Sequence, residues 1–431
     1  MLDIQLIRDN PKLVEEKSKQ KGYKVDIDYL LQRDKTRRET LDQIQKLQQE
    51  RNKLAQAAKG QKPTDKDIEK GKQLKEQIAE REEVLKKAEA ELLVKLKEVP
   101  NMPLEDVPIG SSEDDNVIEK TVGDKPEFSF KPKSHWEIGE EKDWIDKKRA
   151  AKVAGTRFSY IKGDLVLMHY ALMQFALSVL INEKLLTKII QDNKLKVSTK
   201  PFIPVLPPAV ARTEIYEATG RLNKEEQTYK LADDDLWLNA SAEHTLAPMY
   251  SDEILDEKEL PVRYVGYTTA FRREAGTYGK DTEGILRLHQ FDKLEMESFS
   301  LPEQSLDEHL LTIAIQEYLM QQLGLSYRVI KKCTADIGGP NARGVDIDAW
   351  MPGQNAYRET HTADYMTDYQ ARSMKTRVRR ADSKTEFVHT IDATVFSQRP
   401  LIAIIENFQD KDGNVRVPKV LQPYMGGKEK I

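Results

Sequence analysis

Residues 263–276 read RYVGYTTAFRREAG, residues 277–284 TYGKDTEG and residues 285–297 ILRLHQFDKLEME, two strand-like runs joined by a Gly-rich loop. In the second run a side-chain period of two puts Arg287, His289, Phe291, Lys293 and Glu295 on one face and Leu286, Leu288, Leu294 and Met296 on the other. One face offers charge and an aromatic ring; the other offers a core. At about 3.3 Å per residue, Arg287 and Glu295 stand ~26 Å apart along an extended backbone, room for a triphosphate, a purine face and a small amino-bearing group in turn. Arg272 and Arg273 would add cations to the same wall. By periodicity alone, the pattern favours an amphipathic hairpin with a solvated polar face.

With 431 residues the chain is long for one compact domain, so two or more units are expected. Charged residues make up 32% and aromatics 7%, and apolar runs such as residues 401–405 are far too short to span a bilayer. The N-terminal MLDIQLIRDNPKLVEEK carries acids early and has no apolar core of the kind a secretory signal needs, so a cytoplasmic protein without a membrane is expected. Cys333 is the only cysteine, which excludes an internal disulfide, and the seven histidines show no zinc-like spacing, so no zinc is expected. The net charge of −4 argues against indiscriminate nucleic-acid binding and leaves local Lys/Arg clusters available for a phosphate backbone.

Residues 26–100 shift to Lys, Glu, Gln, Leu and Ala, with Pro63 the only proline before Pro100. Leu41, Ile44, Leu47, Arg51, Leu54 and Ala58 fall near heptad spacing, as do Leu74, Ile78, Arg81, Val84, Ala88 and Leu92 beyond GQKPTD. Two antiparallel helices of roughly 35 residues, joined near Lys62 and Pro63, would project ~50 Å. A purely structural or dimerising coiled coil fits the same pattern. The segment 99–116, rich in proline and acid, reads as a connector, with a domain boundary near residue 105. Beyond it, an amphipathic stretch at 165–183 precedes PFIPVLPPAV (201–210), a short apolar strand broken by Pro207 and Pro208. Strand-like runs at 229–239, 262–271, 286–296, 345–351 and 401–407 alternate with helical segments such as 305–323, which predicts an antiparallel sheet flanked by helices.

FRREAG, a short loop and LRLHQFDKLE closely resemble motif 2 of the class II aminoacyl-tRNA synthetases, in the form found in the seryl-tRNA synthetase family. The long helix, strand and proline at 165–210 follow the order of motif 1, and QRPLIAIIENFQDKDG (398–413) looks like motif 3, an arginine ahead of an apolar helix. ADIGGPNARGVDIDAWMPGQNAYRETHTADYMTDYQAR (335–372) resembles that family's strand ending in W-x-P-x-Q and the segment after it. The resemblance covers essentially the whole chain. It implies an α+β protein, with an N-terminal long antiparallel coiled-coil helical hairpin (1–105) as tRNA-binding arm. An antiparallel-sheet class II catalytic domain (106–431) would follow.

The activity so implied is activation of serine with ATP to seryl-adenylate, then transfer to the 3′-end of tRNA(Ser). By the same resemblance Arg272, Arg287 and Arg399 are catalytic, and ATP meets Arg272, Glu274, Arg287, Leu288, Phe291, Glu359, Thr362 and Arg399. Glu359 and Thr362 would ligate Mg²⁺, hard oxygens suited to that ion; a salt bridge to Arg358 or another nearby cation is the structural alternative for Glu359. Serine would meet Ser241, Glu243, Arg272, Glu295, Asp392 and Thr394. The arm, with Lys53, Lys59, Lys62 and Lys66, and the loop 276–284, with Lys280, would meet tRNA; motif 1 implies a homodimer. Ser241 stands where the family has threonine, Asp392 where it commonly has asparagine, and THTAD where many members have Ser-Ser-Cys-Ser. The run from His389 to Arg399 is also one residue short of the family's usual spacing. The rival readings are an adenylating paralogue that loads a non-tRNA acceptor and a non-catalytic RNA-binding paralogue.

Overall fold

Two short helices, α1 (Ile4–Asp9) and α2 (Pro11–Gln20), lead into the long pair α3 (Ile27–Ala57) and α4 (Asp65–Glu98) in a computed structural model that describes residues 1–57, 64–222, 227–274 and 283–431. Asp3 caps α1 by accepting from Gln5 N, and Pro11 opens α2, where its missing N–H costs nothing. A Thr64–Asp67 capping box starts α4. α3 and α4 run antiparallel, as predicted, and bury Ile44, Leu74, Ile78, Ala88 and Leu92. The seam departs from the expected heptad in places: Leu41 and Val84 are exposed while Thr40 is buried, because a two-helix hairpin covers only one narrow stripe. Near its base, fully buried Asp34 draws Arg8, Arg37 and Arg38 together within 3.2 Å, pinning α1 to α3. Ala58, Lys59, Lys62, Pro63 and Lys280 lie outside the described residues. The chain parts into two units, Met1–Met102 and Pro103–Ile431.

The second unit is built on an eight-stranded sheet. Its strands in chain order are β1 (Val117–Val122), β2 (Ile203–Val205), β3 (Val262–Phe271), β4 (Gln290–Ser300), β5 (Tyr327–Lys331), β6 (Arg343–Met351), β7 (Ala356–Thr367) and β8 (His389–Phe396). Their spatial order is β1-β5-β6-β7-β8-β4-β3-β2, and every neighbouring pair is antiparallel except β2 with β3. Helices α5 (Asp164–Leu180), α6 (Ser305–Leu323) and α7 (Gln398–Asn407) supply buried residues to the core that Leu294, Met296, Val345, Ile347, Ala363 and Ala393 enter from the sheet. The side chains at alternate positions, Lys293, Glu295, Glu297, Asp346, Asp364 and Asp392, therefore belong to the opposite face. Gly266 on β3 sits beneath Leu246, where a Cβ would come within 2.6 Å of Cδ1, so the segment above the sheet presses directly on backbone.

Three expected strands are corrected. Residues 401–407 are helical: Leu401 to Ile405 are all fully buried, and an apolar run without a polar face carries no period that separates strand from helix. In 229–239 only Leu236–Leu238 is a strand, since the run Asp233-Asp234-Asp235 takes a bend before it. The second half of the opening hairpin begins at Gln290, not residue 286. Before that point the backbone is claimed elsewhere: Ile285 N donates to His135 Nε2 and His289 N to Arg157 O.

Arg263 on β3 and Glu308 on α6 are both fully buried and share hydrogen bonds of 2.9 and 2.6 Å, while Arg263 Nη1 donates to Lys200 O at 2.6 Å. Removing one partner strands a buried charge. Arg263→Met should lower unfolding free energy by about 3–5 kcal/mol, and Arg263→Met with Glu308→Leu should recover most of it. Urea midpoints check this; equal losses in the single and double variants would show that the pair's charge is not what matters.

Candidate active site

Arg272, Glu274, Arg287, Leu288, Phe291, Glu359, Thr362 and Arg399, drawn from three separated stretches of sequence, line one cleft above the polar face of the sheet. Arg272 leaves the end of β3, with Nε donating to Ala240 O at 3.1 Å and its guanidinium 5.3 Å from the centre of the Phe291 ring. Arg287 Nη1 donates to Glu274 Oε2 at 3.0 Å, where Glu274 adopts a left-handed backbone with φ of 50°. Arg399 follows the Ser397 cap of α7 and reaches Glu359 through both its carbonyl, at 2.9 Å, and its carboxylate, at 3.0 Å. Burial alone would push the Glu359 carboxyl up, but Arg399 and Lys332 hold it at about 2. Beyond Glu359 and Arg399 the cleft opens into a polar cavity of about 650 Å³ lined by Arg287, Arg328, Lys332 and Asp346.

The predicted amino-acid residues gather behind this cleft. Glu295 accepts from Ser241 Oγ, from Lys293 Nζ and, at 2.9 Å, from the Glu243 backbone N–H. Lys293 Nζ also donates to Ser241 Oγ at 2.8 Å, so Ser241, Lys293 and Glu295 form a closed triangle. Burial works against a charge on Glu295, yet Lys293, Ser241 and the Glu243 N–H outweigh it and hold the carboxyl at about 2. Thr394 stands across from Glu295 in the β8–β4 register. Two expected members of the charged face are used elsewhere: Arg273 lies over the Tyr229 ring, 5.5 Å from its centre, and His289 Nδ1 bonds Arg272 O at 2.9 Å. Consecutive residues point opposite ways, so Arg272 and Arg273 do not share a wall.

One row further along the sheet lies a cluster of which sequence reading singled out only Asp392 and Glu243. Asp364, Asp392 and Glu297 occupy facing positions on β7, β8 and β4, and all three are buried. Arg221, from the loop after the helix Thr213–Ala218, reaches over them to Asp392 at 3.1 Å, Asp364 at 3.4 Å and Glu243 at 2.8 Å. Among the described residues, neither carboxyl oxygen of Glu297 has a hydrogen-bond partner. Burial, followed by the charges of Asp392, Glu243 and Glu295, raises the Glu297 carboxyl well above its ordinary value. Glu297 shares the strand parity of Glu295, which is the signal that would have found it.

A carboxyl raised on folding binds its proton more tightly in the native than in the unfolded chain. Above the unfolded value near 4.3 it makes stability fall as pH rises, until pH passes the folded value. Glu297→Gln removes that slope. The stability of the variant relative to the parent should therefore grow as pH rises above about 4.3, read from urea midpoints across a pH series; a pH-independent difference would mean that Glu297 is ionised in place.

Comparison with known proteins places this geometry. Residues 1–103 match the seryl-tRNA synthetase N-terminal domain, and residues 228–408 match the tRNA synthetase class II core domain shared by the G, H, P, S and T enzymes. The chain is 40% identical over 435 aligned residues to the serine–tRNA ligase of Clavibacter michiganensis subsp. michiganensis, covering 100% of this chain and 97% of that one. The crystal structure of seryl-tRNA synthetase from Pyrococcus horikoshii complexed with ATP is 37% identical, with a TM-score of 0.88 over 100% of this chain and 99% of that one. That of the cytoplasmic serine–tRNA ligase from Naegleria fowleri in complex with AMP is 29% identical, with a TM-score of 0.84 over 100% and 98%. Two domains in the family's order, full-length identity and a shared fold together make this chain a member of the seryl-tRNA synthetase family.

Proposed function

We propose that this chain is a serine–tRNA ligase that works in two steps on one cleft. The serine carboxylate attacks the α-phosphorus of ATP, forming the acyl–phosphate bond as the bond to the β-phosphate oxygen breaks and diphosphate leaves. The terminal ribose hydroxyl of tRNA(Ser) then attacks the seryl carbonyl and AMP departs. The observation that carries the reading is the meeting of Arg272, Arg287, Phe291, Glu359 and Arg399 in one cleft beside Glu295 and Thr394.

Two anions must approach in the first step, so cations have to offset their repulsion. Arg272 stands between the amino-acid pocket and the nucleotide cleft, where its planar fork addresses the carboxylate and the α-phosphate together. Arg287 and Arg399 take the outer phosphates; Phe291, Leu288 and Glu274 hold the base. Glu295, Ser241 and Thr394 bind serine's ammonium and hydroxyl, with Glu243 and Asp392 behind them. Among the described residues no group of three or more His, Cys, Asp or Glu is placed to hold a metal ion unaided. Glu359 and Thr362 are hard oxygen donors in the phosphate cleft and fit Mg²⁺, which takes one or two protein oxygens plus substrate phosphates. When bound there, Mg²⁺ would neutralise phosphate charge.

No single described helix is long and apolar enough to cross a membrane; we place the enzyme in the cytoplasm. Leu167 and Tyr170 on α5, together with Val153 and Tyr160, are exposed, which supports a homodimer through this region. The hairpin α3–α4, with exposed Lys53 and Lys66, is assigned to tRNA, as is the loop 276–284.

Serine, and not threonine, alanine, glycine or cysteine, should drive ATP–diphosphate exchange on the purified protein. Arg272→Ala should lower that exchange by about 100-fold or more without unfolding the chain; parental exchange in this variant would remove Arg272 from the mechanism. Deleting residues 26–100 should abolish tRNA charging and leave exchange nearly intact, and unchanged charging would take the arm out of tRNA binding.

A further inference from the structure

Asp392 places an acid beside the amino-acid pocket where the family commonly has asparagine, and the structure supplies its counter-ion. Arg221 Nη2 reaches Asp392 Oδ1 at 3.1 Å and Asp364 Oδ2 at 3.4 Å, while Nε donates to Glu243 Oε1 at 2.8 Å. The side chains of Glu243 and Asp392 are each 4% exposed and that of Asp364 9%, so the three carboxyls have almost no access to water; burial raises those of Glu243 and Asp392, and Arg221 pulls against it. Room for the guanidinium is built in: a Cβ on Gly338 would lie 3.2 Å from Arg221 Nη1.

Arg221 also acts on the pocket at one remove. The acid it grips, Glu243, belongs to the segment whose backbone N–H donates to Glu295 and whose Ser241 hydroxyl does the same. Gln370 Nε2 donates to the same Glu243 oxygen at 2.7 Å, and Gln370 Oε1 accepts from Thr390 Oγ1 on β8 at 2.8 Å. Glu243, Glu295, Glu297, Asp364 and Asp392 thus crowd together with only Arg221 and Lys293 of the described cations paired among them. Losing one cation from such a group leaves uncompensated buried charge.

We propose that Arg221 is a positioning residue of the amino-acid pocket, with Asp392 as its counter-ion, and that the two together hold the Ser241–Glu243 segment against Glu295. This rests on the serine–tRNA ligase reading. Without Arg221, the acids repel one another or take up protons, Glu243 loses the guanidinium that grips it, and the seat for the substrate ammonium spreads. Removing the Asp392 charge at the same time restores the balance.

The test is steady-state ATP–diphosphate exchange with full-length protein, measuring KM for serine and for ATP separately. Should the parent show no serine-dependent exchange, the ligase reading itself fails, before any variant is made. Given parental activity, Arg221→Gln should raise KM for serine about tenfold or more while KM for ATP changes less than about twofold. Arg221→Gln with Asp392→Asn should recover serine KM to within about threefold of the parent, and Asp392→Asn alone completes the cycle. Arg221→Lys, which keeps the charge and loses the fork, should fall between parent and Arg221→Gln and serves in its place if that variant does not fold. An unchanged serine KM in Arg221→Gln, a double variant no better than Arg221→Gln, or a parallel rise in both KM values would overturn the proposal.

Discussion

A strand's side chains alternate, and that constraint on β4 organises the catalytic unit. Because Leu294 and Met296 must enter the core beneath the sheet, Lys293, Glu295 and Glu297 have to stand on the other face. A register slip of one residue would exchange the two sets and bury ammonium and carboxylate among α5, α6 and α7. The pairing of β4 with β3 over Val262 to Phe271, and with β8 on its other edge, holds the register against this. Arg263–Glu308 then ties the same sheet to α6 from below.

Carrying so many acids on one face has an electrostatic cost that the fold meets in three different ways. Glu295 is surrounded by donors and stays an anion; Asp364, Asp392 and Glu243 are gathered under one guanidinium, which opposes but does not overcome the burial that raises the Asp392 and Glu243 carboxyls; Glu297, without a hydrogen-bond partner among the described residues, is driven toward its neutral form. Of Glu243, Glu295, Glu297 and Asp392, only Glu295 is held below its ordinary value, and it is the one assigned to the substrate ammonium. Neighbouring acids with such different environments divide their roles by surroundings, not by residue type.

The long periodic elements were legible in the chain. The arm, residues 262–271 and residues 305–323 carried enough repeats or alternation to be recognised, and the last two coincide with β3 and α6. Residues 401–407 were ambiguous because an apolar run buried on every side has no face to reveal its period. The nucleotide-site residues joined by family motifs meet in one cleft: Arg272 just past β3, Phe291 near the start of β4, Glu359 and Thr362 within β7 and Arg399 in the first turn of α7. Arg221 was not legible: its partner Asp392 is 171 residues away, and no local pattern around Arg221 announces the contact. Helices α1 and α2 also passed unnoticed, being too short to show a repeat.

Arg287 and Arg399 each begin with a carboxylate in hand, Glu274 for one and Glu359 for the other. A small anion arriving in the cleft would displace one acid and leave it stranded beside the newcomer, gaining little. On the ligase reading, a polyphosphate long enough to engage both arginines would release both acids at once. On that reading, the two internal pairs would thus favour an anion long enough to engage both arginines over inorganic phosphate or sulfate.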